Sequence, residues 1–305
     1  MKMPRLPSRL ITRFAPAPTG FLHLGHVVNA AYVWGLAELG GGTVRLRMED
    51  HDRQRSRPEF AAAILEDLEW LGLAFDGEPT RQSDRAARYA AVLEQLRPRV
   101  YACSCSRREL AVEGEPPSGE ELRYNGRCRE RNLTWETGRG LRVRLDDGVE
   151  RFDDLLLGPQ EQRPAGQCGD LLIRDRLGNW TYQFAVTLDD WDQDISLVIR
   201  GEDLLSSTGR QIALARLLGR PVPAAFLHHP LLYRADGAKL SKSNRDSGVR
   251  ELREAGHSAA EVIALAARAP GLLRPEDSGD WGSILRRLEA SNLQQPTTPS
   301  QELPS

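Results

Sequence analysis

Short apolar segments alternate with amphipathic segments in the first part of the chain, and this alternation predicts an α/β fold built on a parallel sheet. Residues 43–48 alternate like a strand, and residues 58–71 carry apolar side chains at helical spacing. Residues 100–165 break the pattern with cysteines, glycines and prolines, which predicts an inserted subdomain. A chain of 305 residues has room for one large α/β domain with such an insertion, or for two modest domains.

The composition is that of an ordinary globular protein, with 40% hydrophobic and 28% charged residues. No uncharged apolar run is long enough to span a membrane, and the basic start lacks the apolar core of a signal peptide. We therefore expect a cytoplasmic enzyme with no membrane partner. The net charge of −2 does not by itself indicate a nucleic-acid partner, although a local basic face can still bind one.

The strand predicted at 10–11 leads into R-F-A-P-A-P-T-G-F-L-H-L-G-H at 13–26, and a helical pattern returns soon afterwards. His23 and His26 therefore lie at a strand-to-helix junction, where Gly25 lets a ligand approach the backbone closely. A helix N-terminus offers unpaired N–H groups and the positive end of the helix dipole. This segment predicts a phosphate site with two histidine donors.

An acidic run at 49–52 follows the strand predicted at 43–48. Open α/β sheets bind ligands at the carboxyl ends of their parallel strands, so these carboxylates are expected near the same site. Helices are predicted at 58–71 and at about 85–96. The sequence lacks the G-x-G-x-x-G motif of dinucleotide-binding proteins, which argues against a dinucleotide site.

Beyond the insertion, the parallel sheet is expected to resume with strands at 171–174 and 195–200. Between them, residues 182–188 fit a helix or a strand equally well. The C-terminal third has helical signals: a helix at 206–218 ended by Gly219, a helix from the Ser258–Glu261 capping box to Arg268, and a helix at 284–293.

The segment K-L-S-K-S at 239–243 follows a turn signal at 236–238. Lys239 and Lys242 are two of only three lysines in a chain whose other cations are arginines. Ammonium groups on a mobile loop can close over a polyphosphate and stabilise the charge of a leaving pyrophosphate. The alternative is a solvated loop with incidental charges, and the earlier H-L-G-H segment favours the phosphate interpretation.

The pair of segments at 23–26 and 239–243 resembles the two signature motifs of class I aminoacyl-tRNA synthetases. The resemblance implies a Rossmann-like catalytic fold split by an insertion, ATP with Mg²⁺, and an aminoacyl-adenylate intermediate. Further blocks resemble the glutamyl branch of that family, in the expected order, at 13–20, 47–52, 181–190 and 198–208. The resemblance assigns catalysis to His23, His26, Lys239 and Lys242, and ATP binding to His23, Gly25, His26 and Lys242.

By the same resemblance, Arg200 with Tyr182 reads the side-chain carboxylate of glutamate and Glu49 takes the α-ammonium. Arg13 can bind a carboxylate through two parallel hydrogen bonds. Each residue has a plainer alternative: Arg200 paired with Glu202, Tyr182 in the core, or Glu49 as a surface charge. The implied glutamate site comprises Arg13, Phe14, Ala15, Pro16, Ala17, Glu49, Tyr182 and Arg200.

Two positions depart from the pattern of the glutamyl branch. Ala17 stands where serine is common, and Ser243 ends the lysine loop where arginine or glutamine is common. Neither departure removes a residue assigned to chemistry, so they bear on affinity more than on activity.

Cys103, Cys105 and Cys128 cluster in the insertion, and four cysteines are too few for a disulfide scaffold at this length. Three thiolates leave a zinc ion one ligand short of a tetrahedral site. The resemblance to the bacterial subgroup with a zinc-bearing insertion supplies Tyr124 as the fourth ligand, with Cys168 as its rival. One structural Zn²⁺ is therefore expected, and buried reduced cysteines are the alternative.

The motifs and the composition together divide the chain into predicted units. These are a first Rossmann-like catalytic half at 8–98, an inserted subdomain at 99–168, a second catalytic half at 169–243, a helical segment at 244–293 and a disordered tail at 294–305.

These assignments predict ATP-dependent activation of L-glutamate followed by transfer to a tRNA. Few residues follow the lysine loop, whereas an anticodon-binding domain would need on the order of 100. This short segment and the pairs Tyr182-Gln183 and Arg210-Gln211 resemble the family members that place glutamate on the queuosine base in the anticodon loop of tRNA(Asp). The predicted partners are ATP, L-glutamate and queuosine-containing tRNA(Asp), and we expect a monomer.

Three other functions remain open from the sequence. One is a minimal glutamyl enzyme that charges the tRNA 3′ end. Another is a small-molecule adenylyltransferase that shares the H-x-G-H motif, but it would not explain the glutamyl blocks. The last is a non-catalytic relative that binds tRNA, and the intact H-L-G-H, K-L-S-K and Glu49 argue against it.

Overall fold

The computed structural model describes residues 6–52, 54–112, 123–220, 222–232 and 248–290. The predicted phosphate loop at 239–243 lies outside the described residues, and so does the predicted tail at 294–305.

The N-terminal part of the chain folds as its alternating pattern predicts. Parallel strands need crossover connections, and the amphipathic segments supply them as helices on the sheet. The strands pair in parallel in the order β1 (Ile11–Phe14), β2 (Thr43–Met48) and β3 (Thr80–Arg81). The helices that accompany them are α1 (Leu24–Leu39), α2 (Pro58–Trp70) and α3 (Ala86–Gln95).

A second, mixed sheet lies beside the first. Its strands are β6 (Glu150–Asp154), β7 (Gly158–Gln162), β9 (Leu197–Gly201) and β10 (Ala225–His229), in the order β7-β6-β10-β9. Strand β10 runs parallel to both of its neighbours, whereas β7 and β6 are antiparallel. The two sheets adjoin where the N–H of Ser196 donates to the carbonyl of Ile11 at 2.9 Å. The carboxyl ends of β1, β2, β9 and β10 therefore lie along one side of the molecule.

The strand expected at 171–174 forms, but the prediction that it resumes the parallel sheet is wrong. It is β8 (Leu171–Arg174), which pairs antiparallel with β5 (Gly140–Val143), and β5 pairs antiparallel with β4 (Val100–Cys103). Conversely, Asp154 of β6 lies inside the predicted insertion yet pairs with Phe226 of β10. A four-residue apolar strand carries no signal for its partner, so the sequence could not choose between the sheets. The predicted unit boundaries stay a prediction.

The ambiguous segment at 182–188 is helical, as part of α6 (Tyr182–Asp192). Its apolar residues Phe184, Ala185 and Leu188 are fully buried in one cluster with side chains of the β4-β5-β8 sheet, including Ile173 of β8. This spacing places them on one face of a helix, and burial of that face stabilises the helical choice. The helix predicted at 206–218 also forms, as a 3₁₀ turn that continues into α7 (Thr208–Leu217).

Three C-terminal helices follow, α8 (Val249–Glu254), α9 (Ala259–Arg268) and α10 (Trp281–Ala290); α9 and α10 pack against α1, and α8 contacts α9. The predicted capping box is present, because Ser258 and Glu261 each hydrogen-bond the other's backbone N–H. Gly35 of α1 allows α10 to approach, since a Cβ there would lie 2.3 Å from Leu288 Cδ1. Among the described residues, no helix is long and apolar enough to span a membrane. Two further short α-helices are α4 (Arg107–Val112) and α5 (Pro164–Gln167).

Candidate active site

The H-L-G-H segment forms the N-terminal cap of α1, as its position between strand and helix predicts. Nδ1 of His23 accepts a hydrogen bond from the N–H of Gly25, and Nδ1 of His26 accepts one from the N–H of His23, both at 3.1 Å. A Cβ at position 25 would lie 2.8 Å from Cε1 of His23, so glycine is needed for this close approach. The two rings are held 4.0 Å apart, centroid to centroid, at the start of the helix.

A cavity of about 600 Å³ opens at the carboxyl ends of β1, β2, β9 and β10. All predicted glutamate- and ATP-binding residues that the structure describes line it, although their roles stay predictions. Lys239 and Lys242 belong to the undescribed loop. The predicted residues along the cavity are Arg13, Phe14, Ala15, Pro16, Ala17, His23, Gly25, His26, Glu49, Tyr182 and Arg200.

Asp190, which the sequence did not single out, organises one side of the cavity. It accepts hydrogen bonds from Arg13 Nε at 3.0 Å and from Arg47 Nη1 at 2.8 Å. Burial alone would raise the pKa of Asp190, but the charges of Arg13 and Arg47 hold it below its usual range. Arg13 also donates to the carbonyl of Ile199 at 3.1 Å, so part of its guanidinium is already engaged.

Glu49 lies beside this network and receives a hydrogen bond from Arg47 Nη2 at 3.2 Å. Burial raises the pKa of Glu49, and the charges of Arg47 and Arg13 oppose that rise. Glu49 is 7% exposed, so the alternative of a surface charge does not hold. Glu49 shares Arg47 with Asp190, so Arg47 does not fully neutralise this buried carboxylate. A carboxylate in that state on the cavity wall is suited to binding an ammonium group.

Arg200 is 4% exposed and lines the cavity. Its Nε, Nη1 and Nη2 donate to neutral acceptors, which are His228 Nε2 at 3.0 Å, Gln211 Oε1 at 2.8 Å and Thr208 Oγ1 at 2.8 Å, respectively. Within the described ranges no carboxylate lies at ion-pairing distance, so the suggested pair with Glu202 does not form. Burial lowers the pKa of Arg200, and interaction with Tyr182 opposes that change. An arginine remains protonated at neutral pH even so, which leaves a buried positive charge on the wall.

The cavity lining also contains His229, which the sequence did not single out either and which lies on the strand next to that of Arg200. Its ring stacks on Tyr32, with 5.2 Å between centroids and an angle of 7° between the planes. The Nδ2 of Asn29 lies 3.1 Å from its Nε2, and its Nδ1 lies 2.9 Å from the carbonyl of Pro230. Burial lowers the pKa of His229 to about 4, so the ring is neutral at physiological pH.

The three cysteines predicted to bind metal come together in the insertion. The sulfurs of Cys103, Cys105 and Cys128 all lie within 4.8 Å of one another, and those of Cys105 and Cys128 are 3.5 Å apart. Zn–S bonds of ~2.3 Å in a tetrahedron place sulfurs about 3.8 Å apart, so the cluster fits a zinc ion. Burial would raise the pKa of Cys128, but hydrogen bonds from Ser104 and Cys105 lower it to about 6, which favours the thiolate form.

Tyr124, rather than Cys168, adjoins this cluster. Its hydroxyl lies 3.7 Å from Cys103 Sγ and accepts a hydrogen bond from the N–H of Cys128 at 2.9 Å. Cys168 Sγ instead contacts the carbonyls of Pro164 at 3.2 Å and Gly169 at 3.3 Å. The geometry favours Tyr124 over Cys168 as a fourth donor.

Comparison with known proteins decides the family. The model of the catalytic domain of class I tRNA synthetases (E and Q) matches residues 9–269. The chain belongs to this family. Class I aminoacyl-tRNA synthetases are ligases that use ATP with Mg²⁺, so the chain is an enzyme of that class.

Two curated relatives within the class I tRNA synthetases differ in how much of their length the chain spans. The chain is 42% identical over 282 residues to glutamyl-Q tRNA(Asp) synthetase of Nitratidesulfovibrio vulgaris, covering 86% of either protein. It is 43% identical over 251 residues to glutamate–tRNA ligase 1 of Acidithiobacillus ferrooxidans, covering 80% of this chain but 53% of the ligase. The chain thus spans about half the length of that ligase.

A solved structure confirms the class I tRNA synthetase fold. The crystal structure of a glutamate tRNA ligase from Elizabethkingia meningosepticum in complex with its amino acid matches with a TM-score of 0.74 and 28% identity. The match covers 91% of this chain and 64% of that protein. The α/β fold class predicted from the sequence is therefore confirmed.

Proposed function

We propose that the chain activates L-glutamate with ATP as glutamyl-adenylate and transfers the glutamyl group to the queuosine base of tRNA(Asp), which releases AMP and forms glutamyl-queuosine. The observation that carries the glutamate assignment is the buried charge of Arg200, which no carboxylate in the described ranges neutralises. That charge lines the same cavity as the carboxylate of Glu49 and the helix N-terminus capped by His23 and His26. A dicarboxylic amino acid beside a polyphosphate matches these groups.

The amino acid binds through charge complementarity. Arg200 and the hydroxyl of Tyr182 hold the side-chain carboxylate, and burial raises the pKa of Tyr182, so its hydroxyl stays protonated. Glu49 accepts hydrogen bonds from the α-ammonium. Glutamine, which is neutral, would leave the guanidinium without its counter-charge, and a site built around a buried polar partner rejects an analogue that lacks it.

The activation step is a displacement at phosphorus. An oxygen of the glutamate α-carboxylate attacks the α-phosphate of ATP, a new O–P bond forms, and the bond to the pyrophosphate oxygen breaks. His23, His26 and the lysines of the 239–243 loop stabilise the charge that pyrophosphate carries away. Mg²⁺ accompanies ATP as part of the substrate complex and screens the charge of its phosphates. No protein nucleophile is needed, because positioning and electrostatics accomplish the step.

The choice of queuosine as acceptor is supported by the match to glutamyl-Q tRNA(Asp) synthetase of Nitratidesulfovibrio vulgaris, which covers 86% of either protein. The competing acceptor is the tRNA 3′ end, supported by a similar identity of 43%, against 42%, to a glutamate–tRNA ligase over about half of that ligase. Tyr182-Gln183 and Arg210-Gln211, which resemble the queuosine-acting members, lie beside the amino-acid site: Gln211 Nε2 donates to Gln183 Oε1 at 2.8 Å. Gln211 also holds Arg200, so this pair borders the wall that reads glutamate.

A structural zinc ion belongs to the same proposal. Cys103, Cys105, Cys128 and Tyr124 would hold it, and it would cross-link the end of β4 to the segment around Cys128. Cys103, Cys128 and Tyr124 are buried and Cys105 is half-buried, and four protein ligands would complete the tetrahedron, so the site would leave no open position for a substrate.

The acceptor is tested with radiolabelled glutamate, ATP and tRNA(Asp) that contains queuosine. The control is the same tRNA with guanosine at that position. After the reaction, a nuclease that releases the anticodon stem-loop separates the two candidate positions. We expect label on the stem-loop fragment of queuosine-containing tRNA only. Label on the 3′-terminal fragment, or transfer to tRNA(Glu) but not to tRNA(Asp), would contradict the proposal.

A further inference from the structure

Behind the cavity wall, three buried side chains from three strands form a hydrogen-bonded row. Asp154 ends β6, His228 lies on β10 and Arg200 lies on β9. His228 Nδ1 is 2.6 Å from Asp154 Oδ2, and both side chains are completely buried. On the other edge of the ring, His228 Nε2 accepts from Arg200 Nε at 3.0 Å.

The hydrogen bonds of Asp154 fix which ring nitrogen carries the proton. Its Oδ1 already accepts from the N–H groups of Leu156 at 3.0 Å and Leu157 at 2.9 Å, so the buried carboxylate is well solvated by the backbone. Its Oδ2 then accepts a hydrogen bond from the protonated Nδ1 of His228. Nε2 of His228 is consequently unprotonated and presents a lone pair to Arg200.

The ring is also neutral. Burial lowers the pKa of His228, and the nearby charges of Arg200 and Arg13 act in the same direction, while Asp154 opposes them. The remaining close neighbours are uncharged: Thr208 Oγ1 lies 3.1 Å from Nε2, and the Phe226 ring stacks 6.3 Å away. Asp154 therefore orients a neutral acceptor without delivering its own charge to Arg200.

A site that binds a substrate carboxylate needs an arginine that is held in a fixed orientation and whose charge is not neutralised by the protein. A carboxylate in direct contact would orient the guanidinium but also neutralise it, and would compete with a substrate carboxylate. Neutral acceptors at Nε, Nη1 and Nη2 fix its plane and leave its charge available. Asp154 offsets part of the cost of burying the Arg200 charge without contacting it, because the imidazole of His228 lies between the carboxylate and the guanidinium.

We propose that Asp154 and His228 are positioning residues that hold the Arg200 guanidinium in the plane and charge state required to bind the glutamate side chain. The inference rests on the role proposed above for Arg200. Nothing in it requires either residue to touch the substrate.

Two variants of His228 separate its two hydrogen bonds. His228→Gln can place a carbonyl oxygen near the former Nε2 and keep an acceptor for Arg200. His228→Asn can place its amide near the former Nδ1 and keep a donor to Asp154, but it offers Arg200 nothing. Glutamate-dependent ATP–pyrophosphate exchange should then show a KM for glutamate raised roughly tenfold or more in His228→Asn, because a hydrogen bond to a charged group is lost. His228→Gln should stay closer to wild type.

Asp154→Asn tests the tautomer. An amide facing Nδ1 lets the ring carry its proton on Nε2, where it would face the N–H of Arg200 donor to donor. We expect a raised KM for glutamate and weaker discrimination against glutamine, with the KM for ATP unchanged. Should this variant fail to fold, as judged by circular dichroism, the two His228 variants decide the question.

The matched control is Glu150→Gln. Glu150 lies on the same strand as Asp154 and pairs with Arg216 of α7 at 2.6 and 2.7 Å, away from Arg200. It should leave the KM for glutamate unchanged. If Arg200→Ala raises that KM while Asp154→Asn and His228→Asn behave like Glu150→Gln, the positioning role is wrong and the proposed function stands. If Arg200→Ala itself leaves glutamate recognition intact, the proposed role of Arg200 is wrong.

Discussion

His23 and His26 together cap the first turn of α1, because Nδ1 of His26 accepts the backbone N–H of His23 and Nδ1 of His23 accepts that of Gly25. A neutral imidazole that accepts at Nδ1 carries its proton on Nε2. Both Nε2 atoms are therefore donors, and both residues line the cavity. This relationship explains why two histidines are needed where an ordinary helix cap would use serine or aspartate.

Removing one of these donors should slow chemistry without unfolding the helix. In His26→Asn, the amide oxygen can still accept the N–H of His23, while the Nε2 donor is lost. Loss of a transition-state donor costs roughly 3 kcal/mol, so the rate of glutamate-dependent ATP–pyrophosphate exchange should fall about a hundredfold. His257→Asn, on an exposed histidine just before α9, is the control and should keep the wild-type rate. An exchange rate near wild type in His26→Asn would remove His26 from the chemistry.

A second test concerns the lysine loop at 239–243, which is identified from its sequence. Lys242→Ala should lower the exchange rate by about a hundredfold or more, because the positive charge that stabilises the departing pyrophosphate is lost. Lys2→Ala, which changes the one lysine outside the loop, is the matched control. Normal exchange in Lys242→Ala, with folding unchanged, would contradict the assignment of the loop to phosphate.

Specificity for glutamate should depend on Arg200. Wild-type protein is expected to prefer glutamate over glutamine by on the order of a thousandfold or more in kcat/KM for adenylate formation, since glutamine leaves a buried charge unpaired. In Arg200→Gln that preference should collapse, mainly through a weaker reaction with glutamate. Exchange assays with both amino acids measure the ratio. Equal use of glutamine by the wild type would rule out the proposed pocket.

The sequence located the part of the site that lies in contiguous motifs. The residues Glu49, Tyr182 and Arg200 were assigned through motif resemblance, and the structure places them on one cavity. Asp190 and the Asp154–His228 pair were missed. Their partners lie far away in the chain, with Arg13 and Asp190 separated by 177 positions, and no local pattern connects residues at that separation.

The fold shows the same division between local and distant information. Helix α9 could be predicted because its capping box is local. Strand β8 could be recognised as a strand but not assigned to its sheet, because pairing with β5 depends on the path of the intervening chain. Local periodicity determines the element, whereas tertiary packing determines its neighbours.

Asp67 on α2 predicts a dependence of stability on pH. Burial raises its pKa to about 6, against the opposing charges of Arg250 and Arg253, and its Oδ2 has no hydrogen-bond partner among the described residues. A carboxyl whose pKa is higher in the folded state binds its proton more tightly there, so its ionisation destabilises the fold above that pKa. Asp67→Asn should therefore increase the free energy of unfolding near neutral pH by on the order of 1 kcal/mol, allowing for solvent screening.

The sign of this effect can be checked by repeating the denaturant titration at lower pH. The advantage of Asp67→Asn should shrink as the pH falls from about 6 towards about 4, the ordinary pKa of an unfolded aspartate, and vanish below it, where the wild-type carboxyl is protonated in both states. Glu66→Gln, on the exposed neighbouring position, should change stability little at either pH. A constant difference between Asp67→Asn and wild type across this range would show that ionisation is not its cause.

The last prediction concerns zinc binding by the cysteine cluster and Tyr124. Protein purified without chelator should contain about one zinc per chain, because three thiolates and one phenol oxygen complete a tetrahedral ligand set. Cys103→Ser should release the metal, whereas Cys168→Ser should retain it, since Cys168 Sγ faces the carbonyls of Pro164 and Gly169 instead of the cluster. Tyr124→Phe removes only the fourth donor, so it should weaken zinc binding in a competition with a chromophoric chelator while leaving the three sulfurs in place. Zinc retained by Tyr124→Phe but lost from Cys168→Ser would reverse the choice of fourth ligand, and zinc-free wild-type protein would mean that the three cysteines are simply buried thiols.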